Sequence, residues 1–161
     1  MSPALIVVTR VIIALSLLGS VLVQVVILPL VWIDLEGEAL WGRILLVAIA
    51  ALSILCLQVG AIAVWRLLGL VRRGSVFSDA AFRWVDLIIG AIVMLSALVL
   101  VLAVALAPGE VAPGVVALLC GASLVIAGVA LVVVVMRALL AQAIAREREA
   151  RELRSELDEV I

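Results

Sequence analysis

The chain contains no lysine, no histidine and no tyrosine, and all eleven of its basic residues are arginine. A guanidinium stays protonated in a protein, so acid–base chemistry by lysine, histidine or tyrosine is excluded. The two cysteines, Cys56 and Cys120, each fall inside an apolar run. A disulfide framework needs an oxidising compartment and a zinc site needs clustered ligands, so both read as small buried hydrophobes. There is no buried carboxylate pair, no H-E-x-x-H and no Cys–His dyad. No enzyme is expected, and no catalytic, cofactor-binding or metal-ligating residue is assigned. The net charge of −1 leaves no basic field with which to bind nucleic acid directly.

What remains is apolar. The hydrophobic fraction is 68%, against roughly half in soluble domains. Four long apolar runs cover about residues 11–33, 44–65, 84–107 and 115–136. Each is long enough for a bilayer core of ~30 Å at 1.5 Å per residue. The first run exceeds the ~7–15 residues of a signal peptide and no A-x-A site follows it, so it reads as a retained helix, with Pro29 near its outer end. The expected fold is an all-α membrane protein: a four-helix transmembrane bundle over 1–137, with helix four extended into a charged helical tail over 138–161.

Orientation follows from the arginines. Arg10, Arg66, Arg72, Arg73, Arg83, Arg137 and the four tail arginines fall on one side, and Arg43 alone on the other. The positive-inside rule puts both termini and the 67–86 stretch in the cytoplasm. Trp32, Trp41, Trp65 and Trp84 all fall at span ends, as an aromatic belt requires. In the 67–86 elbow, Arg72 and Arg73 stop the second helix and Gly74 is placed as its C-cap. Ser78 is placed as the N-cap of the third helix, with Asp79 in its first turn and Phe77 and Phe82 at hydrophobic-staple spacing. Arg72, Arg73 and Arg83 can also bind anionic lipid at about 1 kcal/mol each.

Three polar groups lie at membrane depth: Gln24, Gln58 and Asp86. They read either as a conduction path or as interhelical bonds worth about 1 kcal/mol each, and bonding is favoured. The glutamines differ in depth by ~7 Å, which permits a direct pair without requiring one. Asp86 is expected to form an interfacial ion pair with Arg83 or Arg66. The first helix carries no carboxylate, which excludes the buried-glutamate chemistry of small multidrug transporters. Gly114, Gly121 and Gly128 recur every seven residues, and Gly90 and Ala97 repeat the interval. These are helix-packing seams within the bundle or in a homo-oligomer.

In the tail, Leu139, Ala143, Ala150, Leu153, Leu157 and Val160 form a short coiled-coil-like stripe. Asp158 and Glu159 sit where a helix dipole disfavours them. The tail therefore reads either as a docking peptide or as a solubilising charge run. With the elbow, it supplies the partner- or lipid-binding set: Arg72, Arg73, Phe77, Ser78, Arg83, Leu153, Leu157, Asp158 and Glu159.

The four-span layout and the elbow Gly74-Ser75-Val76-Phe77-Ser78, similar to a G-x-x-F-S pattern, resemble a bacterial membrane family catalogued as domain of unknown function 2975. The ending Leu157-Asp158-Glu159-Val160-Ile161 is similar to the acidic-apolar ending of many members. The resemblance implies a multi-pass protein of the bacterial inner membrane with no established enzymatic role. Its genes often lie beside one for an Xre/Cro-type helix-turn-helix regulator, which implies a cytosolic transcriptional partner. Two functional readings follow. One is a non-enzymatic membrane regulator holding a partner through elbow and tail. The other is a small transporter or channel subunit, or an assembly subunit of a membrane complex.

Overall fold

The computed structural model describes residues 3–37, 39–72, 79–109 and 111–159, with no account of the side chains of 3–5, 71–72, 79–81, 147–148 and 151–159. Its regular elements are all helical. Helix α1 (Pro3–Leu22) runs through a π-helical turn (Val23–Ile27) into α2 (Leu28–Asp34), the three making one rod. Helices α3 (Leu40–Arg72), α4 (Asp79–Leu106) and α5 (Pro113–Glu159) follow.

The π turn has a local cause. Pro29 has no N–H to offer the carbonyl four residues back, and its ring crowds that carbonyl. The Leu28 N–H instead reaches five residues back to Val23, and the widened turn accommodates the proline at membrane depth. After α2 the chain closes with Leu35 N–H donating to the Val31 carbonyl and Glu36 N–H to that of Ile33. Gly37 then takes φ +130°, a conformation that side chains resist. Between α4 and α5, Gly109 N–H donates to Leu106 at 3.1 Å. Pro113 opens α5 at the one helical position where its missing donor costs nothing.

Four segments are long and apolar enough to cross a membrane: Ile6–Asp34, Leu40–Leu70, Phe82–Leu106 and Pro113–Arg146. Burial supports the same reading. Among the described residues no large side chain is fully buried, while Leu18, Leu118 and Leu124 are each more than 70% exposed. Water would not tolerate that surface; lipid would, and the chain is a multi-pass membrane protein. The residues buried between helices are mostly small: Ala63, Ser96, Ala103, Ser123 and Ala130. Small residues let helix backbones approach where dispersion, rather than the hydrophobic effect, holds them together.

The spans pack in chain order. The α1–α2 rod meets α3, α3 meets α4 and α4 meets α5, the last two contacts being the most extensive. A closed bundle would also bring α1 and α5 together, and the described residues show no comparable packing there. The architecture is an open row of four antiparallel spans.

Candidate functional site

The arginine-rich end of the row is tied across all four spans by charges over rings. Arg10 of α1 lies over Trp65 of α3 (5.5 Å to the ring centre), and Arg66 of α3 lies over Trp84 of α4 (5.8 Å). Arg137 of α5 lies over Phe82 of α4 (5.6 Å). Helical periodicity arranges this. Trp65 and Arg66 are adjacent, about 100° apart around α3, so one turns to α1 and the other to α4. Phe82 and Asp86 are four residues apart and share one face of α4, the face that meets Arg137; Trp84, between them, lies on the side that meets α3. Each such contact is worth about 0.5–1 kcal/mol where wet and ~2 where desolvated.

Asp86 forms its ion pair with neither Arg83 nor Arg66. Its carboxylate accepts from Arg137 Nη2 at 2.7 Å, and Arg137 Nε lies 2.5 Å from its other oxygen. The physical reason is facing direction: Arg66 is committed to the opposite side of α4, over Trp84, and Arg83 is exposed. The bond therefore joins α4 to α5 rather than bracing the elbow alone. At the opposite end Arg43, the lone arginine there, lies over Trp32 at 4.1 Å with Glu36 3.9 Å away.

Two polar knots lie at mid-depth. Gln58 Nε2 donates to Gln24 Oε1 and to Ser20 Oγ, both at 3.0 Å. Gln24 Nε2 donates to the Ala51 carbonyl at 3.3 Å, and the Ser20 hydroxyl donates to Leu17 at 2.8 Å. The glutamines thus form the direct pair that their depths permitted. Both protons of the Gln58 amide and the single proton of Ser20 are used. The second knot joins α4 to α5. Ser96 Oγ donates to the Ser123 carbonyl and Ser123 Oγ to the Ser96 carbonyl, each at 2.9 Å. Each hydroxyl has one proton, so the 3.2 Å approach of the two oxygens is a close contact, not a third bond.

The serine knot was missed from sequence. Its signal was a seven-residue offset, Ser96 to Ala103 and Ser123 to Ala130, with all four residues buried. The glycines point elsewhere. A Cβ built on Gly90, Gly114, Gly121 or Gly128 would meet nothing within 4 Å, so none forms a seam inside the chain. Cys56 is half-buried and Cys120 exposed, so neither is the buried hydrophobe that its apolar run suggested. Of the elbow and tail set, Arg73, Phe77 and Ser78 lie outside the described residues. Arg72, Leu153, Leu157, Asp158 and Glu159 are described only as helical backbone.

A cleft of about 870 Å³ opens between α1 and α3 at the arginine-rich end, bordered by Arg10, Trp65, Arg66 and Trp84. A second, of about 500 Å³, lies beside the π turn, with Gln24 as its main polar group. Among the described residues no group of three histidine, cysteine or acidic side chains is placed to hold a metal ion.

No curated protein and no solved structure matches the chain significantly. The family model described as Protein of unknown function (DUF2975) matches residues 3–161, and the chain belongs to that family.

Proposed function

We propose that the chain is a non-enzymatic regulator in the bacterial cytoplasmic membrane, with both termini in the cytoplasm, that binds a cytosolic partner through the elbow and the charged part of α5. One observation carries this reading: α5 is 47 residues long without a break. That is ~70 Å of helix against a hydrocarbon core of ~30 Å. Beyond the 115–136 run ~35 Å of helix remains, its last ~20 Å charged, continuous with the span that Asp86 and Ser96 tie to α4. A shift within the row moves the rod, and a protein on the rod feels it. The orientation rests on the excess of arginine at one end, and the resemblance supplies the partner's class, a helix-turn-helix regulator.

The bonds of the glutamines to each other and of Asp86 to Arg137 lend the transport reading no support. An assembly subunit is the reading that the unclosed row favours, because α1 and α5 each keep a flank free for another chain. Crosslinked purification from native membranes separates the two, comparing the full chain with a form ending at Arg137. The regulator reading expects a helix-turn-helix protein with the full chain only. Its recovery with neither form overturns that reading, and its recovery with both overturns the part assigned to the tail.

A further inference from the structure

The arginine-end cleft has the shape and charge of an amphiphile. On α1, Arg10, Ala14, Leu17, Leu18 and Val21 recur at helical spacing and form one wall. On α3, Ile62, Trp65, Arg66 and Gly69 form the other, and Trp84 of α4 closes the back. Both cations stand at one end and the walls below them are apolar. Among the described residues no carboxylate borders the cleft. Arg10 Nε is buried without a hydrogen-bond partner among the described residues, and its guanidinium lies alongside Gly69, with Nη2 3.9 Å from where a Cβ would stand, an ordinary contact distance.

We infer that this cleft is a binding site for one anionic phospholipid of the arginine-rich leaflet. Arg10 and Arg66 take the phosphate, and an acyl chain lies along Ala14, Leu17 and Val21. The depth fits. From Arg10 to Val21 is ~16 Å along α1, about half of a ~30 Å hydrocarbon core, the reach of one leaflet. The charge fits as well, because two guanidiniums with no acid beside them among the described residues attract a net-negative lipid more than a zwitterion. Basic pockets between spans take anionic headgroups for this reason. The site does not use the exposed Arg83, and it requires only that the chain spans a membrane, whatever partner the rod binds.

The test uses the full chain carrying Trp32→Phe and Trp41→Phe, so that Trp65 and Trp84 are the fluorophores, in phosphatidylcholine nanodiscs. A minor fraction of the lipid is replaced by brominated phosphatidylglycerol or, separately, by brominated phosphatidylcholine. The expected result is saturable quenching with roughly thirtyfold preference for the anionic lipid, not displaced by excess inorganic phosphate. Arg10→Gln with Arg66→Gln brings the preference close to one, while glutamines at Arg72, Arg73 and Arg83 leave it in place. If the Arg10/Arg66 variant does not fold, Ala14→Leu narrows the apolar wall with both cations intact and lowers the quenching. Equal quenching by the two lipids, displacement by phosphate, or loss only in the elbow variant overturns the assignment.

Discussion

A guanidinium at a membrane boundary has two ways to keep its charge compatible with hydrocarbon: lie over an aromatic face, or meet a carboxylate. Arg10, Arg43 and Arg66 use the ring, with Glu36 only 3.9 Å away as a weak second partner for Arg43. Arg137 uses both, over Phe82 and against Asp86. The pair is only partly covered, its side chains 36% and 51% exposed, so screening limits its worth to about 1 kcal/mol despite the close geometry. We expect Asp86→Asn and Arg137→Gln each to cost about that, measured as reversible unfolding in bicelles, and the double variant to cost less than the sum. Strict additivity would show that the contact contributes nothing. Asp86 was legible in sequence as an ion-pair residue, but its partner was not. Arg83 and Arg66 were near in sequence, whereas Arg137 is 51 residues away, and only the relative rotation of α4 and α5 decides between them.

At the scale of the element, the apolar runs marked where helices cross, and the residues beyond them marked how far two of those helices run. The helix of the 44–65 run stops at Arg72, where the paired arginines are expected to stop it, and that of the 115–136 run continues through the charged tail to Glu159. Arginine and glutamate end an apolar stretch without ending a helix, since both are good helix formers. The glycine repeat is a different case: a seven-residue interval marks one face of a helix but not what that face meets, and here it meets no other helix among the described residues. The real α4–α5 seam uses serine and alanine at the same interval. The π turn makes a sharper case. Pro29 was visible, but that its turn would aim Gln24 at Gln58 was not. If the proline maintains that turn, Pro29→Ala lets regular helix resume and rotates Gln24 away from α3. Gln58→Leu should then cost about 1 kcal/mol in the parent and less beside Pro29→Ala, where only its bond to Ser20 remains, read as coupling in a double-variant cycle. Equal costs in both backgrounds would show that the turn persists without the proline.

For the whole molecule, an open row has unequal ends. The α1–α2 rod has α3 alone as its extensive neighbour and is held there by the glutamine knot and by Arg10 over Trp65. Helices α3, α4 and α5 share two longer contacts, one reinforced by the serine knot and by Asp86–Arg137. The amphiphile cleft lies on the weaker junction, where α1 and α3 diverge. Pulling on the two chain ends in bicelles should therefore release the rod first, as a step of about thirty residues, before α3–α5 yields. Gln58→Leu should lower the force of that first step and leave the second alone; Ser96→Ala should do the reverse. One concerted event, with both variants lowering the same force, would mean that the row behaves as a closed unit. Two separable events would place the hinge of the molecule between α1 and α3, where a lipid molecule can occupy the gap and where the arginines that would hold it also bind the helices together.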